Sequence, residues 1–114
     1  MKTDNDAERI VLLNAREDYG LLWQILDEVR AAMPGAAPEA ALRAAREAVF
    51  SLMAKGLLDV YRRSSRKVPF ERLDAADGEA ALNADEYWRG DDTDPVEIAV
   101  AATPKGGEAH ETPA

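Results

Sequence analysis

Residues 38–63, PEAALRAAREAVFSLMAKGLLDVYRR, constrain the fold more than any other stretch of the chain. Leu42, Ala45, Val49 and Leu52 or Met53 recur at spacings of three and four, which is one face of a helix. Pro38 suits the first turn of that helix, where its missing N–H costs nothing. Gly56 follows Lys55, so a basic last turn closes on the residue that best tolerates a left-handed cap. The chain then turns β-prone at once. Over Leu57–Arg63, Leu58 and Val60 face one side, and Leu57, Asp59 and Tyr61 face the other. A helix, a glycine stop and a strand in immediate succession point to an α+β domain.

The rest of the chain arranges itself around this unit. A first helix is expected from Asp4 or Asp6, either of which can cap it. Ala7, Ile10, Val11 and Asn14 lie along one face of it, with Leu13 beside them. It ends near Asp18-Tyr19-Gly20, where Asp18 can cap a second helix over Leu21–Ala32. Leu22, Ile25, Leu26 and Val29 form the apolar face of that helix, and Trp23 stands at its border as a core-edge anchor. Met33-Pro34-Gly35 breaks the chain before the third helix. A second strand is expected over Val96–Ala102, where apolar residues alternate as in a half-buried antiparallel strand. More than thirty residues separate the two strands, too many for a hairpin loop. Within them Asp74 can cap a short helix over Ala75–Leu82, and Tyr87-Trp88 precedes an acidic turn at Asp91-Asp92-Thr93-Asp94. The expected organisation is one domain over residues 1–105, an insertion over 64–94 and a flexible tail over 106–114.

Composition narrows the function. The chain has no cysteine, which excludes thiolate metal sites and cysteine nucleophiles and suits a reducing, cytoplasmic setting. No apolar stretch approaches the ~20 residues that span a bilayer, so no membrane association is expected. The single histidine, His110, has no partner motif. No nucleophile elbow and no phosphate-binding glycine loop occurs, so neither catalysis nor a cofactor is expected. Asp91, Asp92, Asp94 and Glu97 lack the spacing of a calcium loop and read as a solvated turn, with no metal. The formal net charge of −8 is unevenly spread: residues 1–61 carry −3, residues 62–72 carry +4 and residues 73–114 carry −9. The overall field repels a polyanion, while one short segment attracts it.

The order helix, helix, helix, strand, long insertion, strand resembles the bacterial winged helix-turn-helix superfamily, with the local match nearest to its PadR and MarR-like groups. Two motifs carry the likeness. AVFSLMAKGLLDVYRR at 48–63 is similar to the end of a recognition helix passing into the first wing strand. AVAATPKG at 99–106 is similar to the second wing strand with a Thr-Pro-x-Gly segment at its end. The resemblance implies three N-terminal helices and a two-stranded antiparallel wing, here with a long insertion that contains a short helix. It also implies a DNA-binding transcriptional regulator. The large acidic insertion, and the alanines and glutamates on the third helix, depart from that pattern.

The resemblance and the departures single out two sets of residues. If the chain is such a regulator, Arg43 and Arg46 on the third helix stand where base edges would be read, and Arg62, Arg63, Arg66 and Lys67 at the root of the wing stand where phosphates would be held. If it is a non-catalytic protein-interaction module, the acidic insertion meets a basic protein partner through Asp85, Glu86, Tyr87, Asp91 and Asp92. Tyr87 is then the exposed anchor, because tyrosine joins an apolar ring to a polar tip. Charge and the bland surface of the third helix favour the interaction module. The sequence leaves open whether the chain is a monomer or a dimer.

Overall fold

The computed structural model describes residues 3–17, 19–65, 67–89 and 96–104; residues 3–6 and 17 are described by their backbone alone. The elements run α1 (Thr3–Glu17), β1 (Gly20–Leu21), α2 (Leu22–Ala32), α3 (Pro38–Ala54), β2 (Leu58–Arg63), β3 (Glu71–Arg72), α4 (Ala75–Asn83), α5 (Glu86–Arg89) and β4 (Glu97–Ala102). The four strands form one antiparallel sheet in the order β1-β4-β2-β3. The protein is therefore an α+β fold, and the expected pairing of residues 57–63 with residues 96–102 is present, in the register Leu58↔Ala102 to Arg63↔Glu97.

The junction between α3 and β2 forms for the reason read from its residues. Gly56 adopts φ +76°. The N–H of Gly56 donates to the carbonyl of Met53 and that of Leu57 to the carbonyl of Leu52, each at 2.9 Å. This pair of bonds is a Schellman closure, which satisfies the last carbonyls of the helix and turns the chain straight into the strand. Between α2 and α3, the N–H of Ala36 donates to the carbonyl of Met33 at 3.1 Å, across Pro34 and a Gly35 at φ +85°. Proline followed by a glycine at positive φ is the chemistry of a type II turn.

The core is one cluster. Leu22, Ile25, Val49, Leu52, Leu58, Ile98 and Val100 are buried in it, and Leu26 packs half-buried against it. Along α1 the buried residues are Ala7, Val11, Leu12 and Ala15, whereas Leu13 is exposed. The buried stripe of α1 is thus rotated away from Leu13, because this helix packs chiefly against α3. Alanines 41, 44, 45 and 48 on α3 are buried too. Such small side chains let neighbouring helices approach closely, so the alanine-rich composition is put to use inside the bundle.

Three details differ from the sequence reading. First, Gly20-Leu21 is a strand, pairing with Val100 and Ala99, where the sequence predicts the end of one helix and the first residue of the next. A Cβ on Gly20 would stand 3.0 Å from the Asn14 Cβ, so the chain passes close against α1 and a side chain here would have to push α1 aside slightly. Second, α2 starts at Leu22 and its N-cap is Leu21, without a side-chain cap. Its entry is set by the strand; Asp18 lies outside the described residues. Third, Glu71-Arg72 adds an edge strand to β2. Asp4 and Asp6, expected as caps, lie inside α1, which already includes Thr3. Arg66, the acidic turn from Asp91 and the tail from Gly106 fall outside what is described. Among the described residues, no helix is long and apolar enough to cross a membrane.

Candidate functional site

The segment between β2 and β4 is built into the domain. Asp74 caps α4 as its sequence suggested, accepting from the N–H of Asp77 at 2.8 Å. Gly78 is buried where α4 crosses β2; a Cβ there would stand 3.4 Å from the Val60 Cβ and 3.7 Å from the Met53 Cε. The helix lies close on both β2 and α3, with ordinary contact distance left for a methyl at this position. Leu82 and Trp88 are fully buried, and Leu73 is half-buried. The indole N–H of Trp88 donates to the Leu82 carbonyl at 2.9 Å.

That carbonyl accepts a second donor, the Arg46 Nε, also at 2.9 Å. It lies in the last turn of α4, where carbonyls lack helical partners and a positive charge is favoured. The same guanidinium pairs through Nη2 with the Asp85 carboxylate. Arg46 therefore ties α3 to the end of α4. Arg43, one turn earlier, is exposed.

The basic residues at the end of β2 divide between the two faces of the sheet. Strand alternation puts Arg62 on the same side as the buried Leu58 and Val60, and Arg63 on the other. Arg62 is exposed beside α4. Arg63 donates from Nε to the Glu97 carboxylate at 2.7 Å and stacks over the Phe70 ring at 4.3 Å. Lys67 is exposed, and its backbone N–H donates to the Ser65 hydroxyl. α4 packs on both α3, which carries Arg43, and β2, which carries Arg62 and Arg63.

Of the expected partner-binding residues, Asp85 and Glu86 are exposed. Tyr87 is half-buried: its ring packs against the core rather than standing free. It lines a shallow groove of about 420 Å³ together with Leu73, Ala80, Ala81, Ala84 and Ile98, with Asp77 and Arg62 at the margin. Asp91 and Asp92 lie outside the described residues. Among the described residues no three histidine, aspartate or glutamate side chains gather as a metal site would require.

Sequence reasoning missed a second surface. Tyr19, Tyr61 and Phe70 converge from β1's lead-in, β2 and the loop before β3. The Tyr19 ring centroid is 5.1 Å from that of Tyr61, edge on, and 4.4 Å from that of Phe70. They border a groove of about 600 Å³ lined also by Asn14, Leu21, Gln24, Arg63 and Pro69. Burial, reinforced by the nearby Asp59 carboxylate, raises the Tyr61 phenol above its ordinary value, while Arg72 works weakly against the shift. The signal in the sequence was slight, because the three aromatics are scattered over fifty residues and share no periodicity. Comparison with protein-family models, with curated proteins and with solved structures found no match.

Proposed function

We propose that this chain is a winged-helix domain that works as a non-catalytic protein-interaction module rather than as a reader of DNA. The element order and the antiparallel β1-β4-β2 core of the sheet support the fold assignment, with residues 64–94 as an enlarged wing. One observation carries the functional reading. On the packed pair α3 and α4, the exposed charged side chains are Glu39, Glu47, Asp77 and Glu79 against Arg43 alone, while Arg46 is engaged with Asp85. In a DNA-binding winged helix this region would face phosphates, and here it presents net negative charge to them. The groove beside Tyr87 is apolar in its floor, with Asp77 and Arg62 among its lining residues and Glu86 next in the chain to Tyr87, and it suits a partner protein that sets an apolar side chain in the floor.

The test is recovery of the tagged full chain from its source cells, with and without nuclease. The expected result is a protein partner retained after nuclease and lost when Glu79 and Glu86 are changed to lysine. A mobility shift with duplex DNA at micromolar protein would overturn the reading. So would affinity that falls steeply with salt and weakens in Arg62→Ala or Arg43→Ala.

A further inference from the structure

We infer, resting on the interaction-module reading above, that the groove beside Tyr87 selects its partner by two opposite charges. The segment it takes carries an apolar side chain flanked by one basic and one acidic residue.

The two charges come from different walls. Asp77 belongs to α4 and Arg62 to β2, and both line the groove. Arg62 is opposite Ile98 in the pairing of β2 with β4, so the cation and part of the apolar floor share one face of the sheet. Both charged side chains are exposed. Among the described residues neither the Asp77 carboxylate nor the Arg62 guanidinium has an ion-pair or hydrogen-bond partner, and the two do not pair with each other. Glu71 is opposite Arg62 in the pairing of β2 with β3, but it is not part of the groove lining. Opposite charges largely cancel in the distant field, so this pair acts at contact, where it sorts one partner from another. A segment of a single sign meets one attraction and one repulsion of similar size. A segment with both signs meets two attractions. Ala80, Ala81 and Ala84 keep the α4 wall low, which leaves a partner's apolar side chain room to reach Leu73 and Ile98. A free zwitterion would leave much of its surface in water in so shallow a groove, whereas a segment of a protein adds contacts on either side.

The experiment pans the immobilised full chain, and separately its Arg62→Glu variant, against a display library of random twelve-residue peptides. Enriched peptides are then synthesised and titrated while backbone amide resonances are followed. From the parent, the expected consensus is an apolar residue flanked by one basic and one acidic residue, with shifts centred on Asp77, Ala80, Ala84 and Ile98. From Arg62→Glu, the acidic residue of the consensus should give way to a basic one, because both walls are then negative. Against the parent's peptides, Asp77→Ala and Arg62→Gln should each weaken binding by about two- to fivefold, the size of one exposed ion pair. Ala80→Leu, at an exposed position of α4, should weaken it roughly tenfold or more by filling the seat of the apolar anchor. Circular dichroism and urea midpoints matching the parent verify the fold of each variant. The inference is overturned by no enrichment, by a consensus of one charge sign, by an unchanged consensus from Arg62→Glu, or by parental affinity in Ala80→Leu. Displacement of the peptides by free leucine, or dimerisation lost in Ala80→Leu, would name another occupant and overturn it equally. A protein retained after nuclease that binds Arg62→Glu and Ala80→Leu as it binds the parent would overturn it and leave the interaction-module reading standing. A mobility shift with duplex DNA would overturn both.

Discussion

Leu82→Ala is the sharpest test of whether the segment between β2 and β4 is part of the core or an appendage. Leu82 is 0% exposed, on the inner face of α4. Alanine keeps the backbone carbonyl that accepts from Trp88 and Arg46, and it is the best helix former, so neither the hydrogen bonds nor the helix is disturbed. Only packing changes. Three carbon groups leave a fully buried site, at about 0.8 kcal/mol each, which gives roughly 2.4 kcal/mol of lost transfer free energy. A cavity adds to this wherever the surroundings cannot collapse, and the neighbouring Trp88 is itself rigidly held by its indole hydrogen bond. The expected loss is about 3 kcal/mol, within the ~2–5 kcal/mol of buried leucine truncations. A domain of this size holds about 5–15 kcal/mol, so the loss is a large share of the whole. Urea denaturation followed by tryptophan fluorescence and by circular dichroism should show one shared transition at lower urea, with its slope unchanged. A loss below ~1 kcal/mol, or an early fluorescence transition separate from the circular dichroism transition, would refute the claim that the segment and the helical layer share a core.

Other perturbations draw on the same contacts. Leu52→Ala, at the Schellman closure and buried, should cost about 2–5 kcal/mol in the same denaturation assay. Gly78→Ala should stabilise by up to about 1 kcal/mol, because the new methyl meets Val60 at ordinary contact distance and the helix gains alanine's propensity; a lower denaturation midpoint would refute this. Arg46→Met keeps the aliphatic stem but removes the bonds to the Leu82 carbonyl and Asp85. It should cost roughly 1–2 kcal/mol, the charged bond being discounted for partial exposure, whereas Asp85→Asn alone should cost under about 1 kcal/mol. Tyr61 titrates above the ordinary tyrosine value of 10.0 in the folded protein. Its folded form thus holds the proton more tightly than the unfolded chain does, so its stabilising contribution is complete below pH 10 and is lost as pH rises through the folded value. Ultraviolet titration should show a high-pH phenolate transition that disappears in Tyr61→Phe.

How much was legible can be said from particular residues. The α3–Gly56–β2 unit is set by its own residues, because helical spacing, a glycine at the left-handed cap and β-prone alternation are all local properties. The Asp74 cap of α4 and the alternation of β4 are local in the same sense. The two short strands were not legible. Gly20-Leu21 and Glu71-Arg72 are strands only because β4 and β2 offer them backbone partners, and two residues carry no periodicity of their own. The functional residues divide along the same line. A basic run at the end of β2 is visible in the sequence, but strand alternation and Glu97 decide that Arg62 and Arg63 face opposite ways with different partners. Arg46 looked like a candidate base reader, and only the approach of α4 gives it the Leu82 carbonyl and Asp85, thirty-six and thirty-nine residues away. Tyr19, Tyr61 and Phe70 meet for the same reason. Contacts between distant residues depend on how the elements dock, and docking is set by the whole core rather than by any one stretch of the chain.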